Sequence, residues 1–329
     1  MNEEPRFIER SCAICGSHHS LPLACYTTSP WPVVQCTDCG FVYLRRVPSY
    51  ASLAEDFPWE VTFAAEQRRR SRSRLGCLDQ VTRWRTYPGH LIDRYRSRHT
   101  LGLVGNVLDV GCGGSCRVPE GPTPYGIEIS AALARAAAGS FTARGGHVVH
   151  ANAIDGIESF PDAFFAAVLL RSYLEHEIQP KLILEKVLRK LVPMGKVFVR
   201  VPDYSSFNRR VMGGKWCGFR FPDHVNYFTN QSLRSLAESL GFSYRRINRF
   251  SPFDDNVIAV LRRCSSQDQF STKSTRSRRP EPDGRADFNS LVKMETLRRQ
   301  DAKSSSASDG RASSYELSGS CAFDPDRAS

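Results

Sequence analysis

The sequence predicts an α/β protein built on a doubly wound, mostly parallel sheet, with a small metal-binding module in front and a disordered tail behind. Three observations carry this. Short, uniformly apolar runs of strand length alternate with helix-period segments between about residues 101 and 263. The first of those runs ends in an acidic residue and opens into glycines. Four cysteines near the start fall into two C-x2-C pairs. At 329 residues, 41% apolar and 24% charged, the chain reads as a soluble globular protein with room for one full α/β domain and an accessory module. No apolar run has the length of a membrane span, and Met1-Asn-Glu-Glu-Pro5 lacks the basic and apolar regions of a signal peptide. The expected compartment is the cytoplasm, with no membrane partner.

The cysteine pairs come first. Cys12-Ala-Ile-Cys15-Gly16 and Cys36-Thr-Asp-Cys39-Gly40 are separated by twenty residues. Two residues between cysteines let both thiolates reach one ion, and two such knuckles complete a tetrahedral sulfur shell for Zn2+. Each second cysteine is followed by glycine, which tolerates the positive φ of a knuckle turn. With all four positions filled by cysteine, the zinc is expected to be structural, holding residues 1–48 as a ribbon too small to fold on its own core.

Residues 49–100 form the next segment. Its second part, 61–100, carries ten arginines against Glu66, Asp79 and Asp93, a large share of the formal charge of +11. Such a patch suits phosphates, but Leu75, Leu78, Val81, Trp84 and then Leu91, Ile92 and Tyr95 recur at helical spacing, which predicts two amphipathic helices covering the sheet edge. No reading helix accompanies the arginines, and the aromatics among them fall on the helices' apolar stripe rather than being exposed, so a nucleic-acid partner is the less favoured reading.

The domain over 101–263 is organised around Asn106-Val-Leu-Asp-Val-Gly-Cys-Gly-Gly-Ser115. Val107, Leu108 and Val110 read as a buried strand with Asp109 near its end; Gly111 and Gly113 then turn the chain and expose bare amides. Ligands bind at such strand ends in open parallel sheets. The third glycine of a dinucleotide fingerprint is replaced by Cys116, and no lysine completes a phosphate loop. A second strand, Tyr125-Gly-Ile-Glu128, ends in another carboxylate, suited to accepting both hydroxyls of a ribose.

On these residues the chain resembles the class I methyltransferases that use S-adenosylmethionine, and with its cysteines the zinc-ribbon-bearing members that act on small molecules or sugars. The resemblance implies a Rossmann-like sheet. It implies that Asp109, Gly111, Gly113 and Glu128 bind the cofactor, with Asn152 and Ala153 at the adenine. The segment Arg171-Ser-Tyr-Leu-Glu-His176 matches one that crosses the cofactor's methyl group in the family, which adds Arg171 to the cofactor contacts. Asp223-His224, with Phe228-Thr229 after it, matches a segment on the substrate side, so His176 and His224 are the candidate general bases. Glu175 or Asp223 would hold an imidazole in its tautomer.

The remaining elements follow in order. Only eleven residues, three of them prolines, separate Gly113 from Tyr125, so the crossover has space for no more than a helical turn at Ser115–Val118. Ser130 caps an alanine-rich helix, and Gly145-Gly146 leads to a strand over 147–151. Phe164–Leu170 is uniformly apolar, as a central parallel strand should be, although Ala166 stands where relatives carry aspartate. Pro180 starts a helix that ends at Pro193-Met-Gly195, and Lys196–Val201 is the fifth strand. The aromatic loop 213–221, a helix over 230–240 and a last strand, Asn256–Leu261, complete the domain. Residues 264–329 are serine-rich, poor in apolar residues and nearly charge-balanced, which predicts disorder. The expected activity is methyl transfer from S-adenosylmethionine to a small-molecule acceptor. The competing expectation is a catalytically weakened methyltransferase fold that binds nucleic acid or protein.

Overall fold

The computed structural model describes residues 7–28, 30–50, 103–248 and 255–264. The expectations for the arginine-rich helices of 61–100 and for the tail beyond Cys264 lie outside the described residues.

The N-terminal strands are β1 (Phe7–Glu9), β2 (Ser20–Pro22), β3 (Val33–Cys36), β4 (Val42–Leu44) and β5 (Arg46–Pro48). The domain contributes β6 (Asn106–Val110), β7 (Thr123–Glu128), α1 (Ala131–Thr142), β8 (Val148–His150), α2 (Ala153–Glu158), β9 (Phe165–Arg171), α3 (Pro180–Lys190) and β10 (Leu191–Pro202). It closes with α4 (Phe207–Met212), β11 (Asn226–Tyr227), α5 (Asn230–Ser239), β12 (Phe242–Arg246) and β13 (Asn256–Arg263). The large sheet has the order β12-β13-β10-β9-β6-β7-β8. Pairing is parallel from β8 through β10, and the last two strands are antiparallel. This is the doubly wound, mostly parallel α/β sheet that the strand pattern predicts.

The side-chain alternation of the strands sorts the core. Val168, Leu170, Val197, Val199, Val257 and Ala259 face α2, α3 and α5, whose Ile157, Ile183, Val187, Leu233 and Leu236 complete that layer. Val107, Ala167, Leu169, Phe198, Ile258 and Val260 point the other way, and Val118 from the β6–β7 connection packs with them. That connection contains no helix at all, less than the single turn expected at 115–118. Its carbonyls are satisfied from outside instead: the Arg144 guanidinium donates to Val118 O at 2.7 Å, to Pro122 O at 3.1 Å and to Pro119 O. The partly buried carbonyls of an irregular loop need such partners because its main chain does not bond to itself.

Helix caps agree with the sequence. The Ser130 hydroxyl accepts from Leu133 N, and Thr229 and Ser232 form a reciprocal capping box on α5. Strand β12 and helix α4 were not foreseen. β12 alternates buried and exposed positions at the sheet margin, with only Phe242 fully inside, so its sequence is too polar to announce a strand.

The ribbon does not stand apart from the domain. β2, β3 and β4 pair antiparallel, and β11, drawn from beyond β10, adds a fourth strand alongside β4. Both faces of this small sheet are buried. Val34, Phe41 and Tyr43 join the domain's main core, where the Phe41 and Phe228 rings lie 5.2 Å apart. Val33, Val42 and Leu44 face a second core made with Trp216, Phe219, Val225 and Tyr227. The aromatic loop expected to bind or cover something therefore covers the ribbon. Each such side chain, fully buried, contributes about 1.5–3 kcal/mol, so apolar packing holds the ribbon in place against the domain.

Gly126, at the centre of β7, leaves no space for a side chain: a Cβ there would lie 2.8 Å from Cys112 Sγ and 3.1 Å from the Phe141 ring. Gly126→Ala is expected to cost about 1–3 kcal/mol of unfolding free energy by forcing these groups apart, measured by urea denaturation. An unchanged midpoint would show that the α1 contact yields freely.

Candidate active site and metal centre

The parallel register of β6 on β7 places Asp109 opposite Gly126 and Val110 opposite Ile127, so the two strand tips are neighbours. Beyond them the chain bends sharply. Gly111 and Gly113 both hold φ at 68°, and the Gly111 and Cys112 amides donate back to Ile127 O. A Cβ on Gly111 would come within 3.1 Å of the Tyr173 ring, so that position needs glycine for space as well as for conformation.

Glu128 crosses to this bend. Its Oε2 accepts from Gly113 N at 2.8 Å and its Oε1 from Ser130 N at 3.0 Å, which fixes the carboxylate plane and leaves a lone pair on each oxygen. Asp109 is 1% exposed and pairs through Oδ2 with Arg171 Nη2 at 2.6 Å. Burial raises its pKa against the pull of Arg171 and Arg117. Asp109 Oδ1 and Arg171 Nε are buried without partners among the described residues. Orphaned polar atoms of both kinds at the tips of β6 and β9 fit the donor and acceptor needs of an aminoacyl group. Arg117 is a participant that the sequence did not single out. It lies over the bend, donating to Gly111 O and Cys112 O at 3.4 and 3.3 Å, and its own carbonyl accepts from Arg171. Nothing in its sequence neighbourhood marks it.

Asn152 and Ala153 follow β8 on the far side of β7. The Asn152 side chain caps α2, accepting from Asp155 N at 3.0 Å and donating to Asp155 Oδ2 at 2.7 Å, and Ala153 is buried. The side-chain amide of Asn152 is thus engaged within its own turn.

His176 and His224 come together, although 48 positions separate them in the sequence: their rings meet edge to face at 4.7 Å. With Glu175 they form a cluster whose polar atoms lie within 4.8 Å of one another. The sequence assigned the tautomer-holding role to Glu175 or Asp223 side chains, and the structure corrects this. Main-chain carbonyls do it: His176 Nδ1 meets Asp223 O at 2.8 Å, and His224 Nδ1 meets Gly218 O at 2.9 Å. A carbonyl only accepts, so each Nδ1 carries a proton, and a neutral ring at either position keeps its lone pair on Nε2. The Asp223 carboxylate pairs with Arg220, and Glu175 Oε2 has no partner among the described residues. Burial lowers the His176 pKa to about 4 and raises that of Glu175 to about 8, so both are neutral at pH 7.

At the N-terminus the four thiols of Cys12, Cys15, Cys36 and Cys39 also lie within 4.8 Å of one another, with Cys12–Cys39 and Cys15–Cys36 sulfur distances of 3.5 Å. The two knuckles are alike: Gly16 N donates to Cys12 O and Gly40 N to Cys36 O, with φ of 78° and 72° at the glycines. A tetrahedral ion with bonds of about 2.3 Å needs sulfurs less than about 4 Å apart, and this set fits it. Burial pushes the Cys12 thiol up to about 11. A cation among the sulfurs would reverse that shift. His18 and His19 are not in the cluster.

Residues 81–247 match the family model described as a methyltransferase domain. The chain belongs to that family. The enzyme is a methyltransferase. Its fold is similar to a SAM-dependent methyltransferase from Archaeoglobus fulgidus, at 16% identity over 53% of this chain and 94% of that one, with a TM-score of 0.42. It is similar also to one from Methanosarcina mazei, at 16% identity over 48% and 90% of the two chains, with a TM-score of 0.34. No curated protein matches the chain. Among the described residues, no helix of the methyltransferase is long and apolar enough to cross a membrane.

Two outcomes are expected from this geometry. Purified methyltransferase should carry one zinc per chain by elemental mass spectrometry, and a Cys36→Ser, Cys39→Ser variant should lose it together with several degrees of melting temperature; retention of the metal would place it elsewhere. The buried pair also sets a pH dependence. Between 4.5 and about 8 the unfolded chain has released the Glu175 proton that the folded chain keeps, so stability falls as pH rises through that window. Between 6.5 and about 4 the unfolded chain takes up a proton that His176 refuses, so stability falls again on acidification. Glu175→Gln should melt above the wild type beyond pH 8 and close to it near pH 4.5, and equal slopes for the two between pH 4.5 and about 8 would refute the assignment.

Proposed function

We propose that this methyltransferase binds S-adenosylmethionine across the tips of β6, β7 and β9 and transfers its methyl group to a small-molecule or sugar acceptor held beside His176 and His224. One observation carries the reading. Adjacent strand tips present an anchored carboxylate, Glu128, and a half-paired one, Asp109, on either side of a glycine bend.

Glu128 offers its two free lone pairs to ribose hydroxyls, while Asp109 Oδ1 and Arg171 Nε suit the ammonium and carboxylate of the aminoacyl end. Asn152 and Ala153 are the adenine contacts in this reading, through the main chain at 152–153 unless Asn152 gives up its cap. Bound there, the cofactor supplies an electrophilic methyl group on a sulfonium. The protein aligns the acceptor, excludes water and removes a proton where the acceptor must lose one. A neutral Nε2 on His176 or His224 accepts that proton as the acceptor–carbon bond forms and the carbon–sulfur bond breaks. Glu175, still protonated at pH 7, adds no negative charge that would compete for it.

The ribbon supports a small acceptor over a nucleic acid. At β3 and β4 both faces of the ribbon sheet pack on apolar cores and β11 occupies the edge beside β4, which leaves the short strand β2 as its one free edge among the described residues and gives nucleic acid little sheet surface to read. The Cys12, Cys15, Cys36 and Cys39 set is then a structural zinc site.

Titration calorimetry with S-adenosylmethionine tests the core of this proposal. Saturable binding is expected in the wild type, weakened about tenfold or more in Asp109→Ala and Glu128→Ala, each of which removes a charged hydrogen-bonding group. No saturation at millimolar cofactor would remove the cofactor reading and leave the weakened-fold alternative.

A further inference from the structure

The buried guanidinium of Arg10 has no part in either site, yet it touches the segments that build one of them. Arg10 follows β1 and stands two residues before Cys12. Its Nε donates to Leu44 O at 2.8 Å, inside the ribbon. Its Nη1 donates to Ile178 O at 2.9 Å, two residues beyond His176. Its Nη2 donates to Asn226 Oδ1 at 2.9 Å and to Val225 O, the residue after His224. The group lies 5.3 Å from the Tyr43 ring centre. None of its four acceptors is a carboxylate.

The two segments it grips are also stitched to each other. Val225 N and Asn226 N donate to Glu175 O at 2.7 and 3.1 Å, and Asn226 Nδ2 donates to Leu174 O at 2.8 Å and Glu177 O at 2.6 Å. One planar fork therefore spans three stretches of chain, around residues 44, 178 and 225, that are far apart in sequence. No other side chain type presents donors on several sides of one rigid plane. A buried cation is costly to desolvate, and replacing this one by packed apolar groups would be no loss for stability alone. Its placement at the meeting point of the two histidine-bearing segments points to geometry.

We infer that Arg10 is a positioning residue for the methyl-transfer site: through it the zinc-binding module acts as a jig that sets His176 against His224. This rests on the reading of those histidines as the candidate general bases, but it does not involve the cofactor contacts. The ribbon is then part of the catalytic apparatus, although none of its residues is assigned to touch a reactant. Its two buried faces fix β4, Arg10 carries that fixed frame to Ile178 and Val225, and the main-chain carbonyls of Asp223 and Gly218 hand it on to the imidazoles.

The test uses the full-length, zinc-loaded protein and hydrogen exchange read by mass spectrometry, with histidine-selective nitrogen NMR. Arg10→Lys keeps the charge and loses the fork. It should speed exchange in peptides spanning 174–178 and 223–227 by about tenfold or more while peptides from β9 stay as they were, because local opening is governed by local contacts. The protonated Nδ1 signals of His176 and His224 should broaden or shift, with zinc content and S-adenosylmethionine affinity within about twofold of wild type on the same principle. Uniformly faster exchange, including β9, would make Arg10 a general stability residue and overturn the inference, as would no change anywhere. If Arg10→Lys does not fold, wild-type exchange at increasing sub-denaturing urea decides the matter. The two histidine segments should open together with ribbon residues 33–44, and opening together with β9 instead would overturn the inference. Loss of cofactor binding in the wild type would refute the proposed function without bearing on either exchange result.

Discussion

The pairing of β6 with β7 in parallel register is the constraint on which the rest of the site depends. It sets Asp109 and Glu128 on neighbouring strand tips, and the bend between them has to turn within the space that Tyr173 leaves over Gly111. Glu128 then closes the turn from the opposite strand by accepting from Gly113 N, so the carboxylate and the glycine amides are held in one rigid frame. A frame of this kind pays its ordering entropy at folding, before any ligand arrives.

The missing helix after the bend is compensated rather than merely tolerated. Arg144 takes up the carbonyls of Val118, Pro119 and Pro122, Val118 fills the sheet face that a helix would cover, and Arg117 lies over the carbonyls of Gly111 and Cys112. Two arginines do the hydrogen-bonding work that a helix does for itself. The region of the bend acquires positive charge as a result, which suits the carboxylate of an aminoacyl ligand.

A second economy joins the ribbon to the domain. The same β11 strand that edges the ribbon sheet carries Asn226, which bonds to Leu174 O and Glu177 O in the segment after β9. Glu177 in turn accepts from Tyr173, at the glycine bend, and from Tyr50, at the end of the ribbon segment. The strand beside the ribbon, the segment that carries His176 and the glycine bend are thus linked through a set of partly buried polar contacts. Such networks specify one arrangement strongly because a partly satisfied version is so unfavourable.

The sequence by itself determined the parallel domain, the glycine bend with its two acidic tips, the cysteine quartet and the caps at Ser130 and Thr229. Each of these rests on residue types within a few positions of one another: apolar strand-length runs, C-x2-C spacing, serine or threonine before a helix. Tertiary structure alone decided that His176 and His224 meet, that carbonyls of Asp223 and Gly218 set their tautomers, that Arg144 replaces a helix, and that Arg10 bridges ribbon and domain. All but the Gly218–His224 contact join segments tens to hundreds of positions apart, and the main-chain carbonyls they use are the same in every residue. A local pattern of side chains carries no record of them.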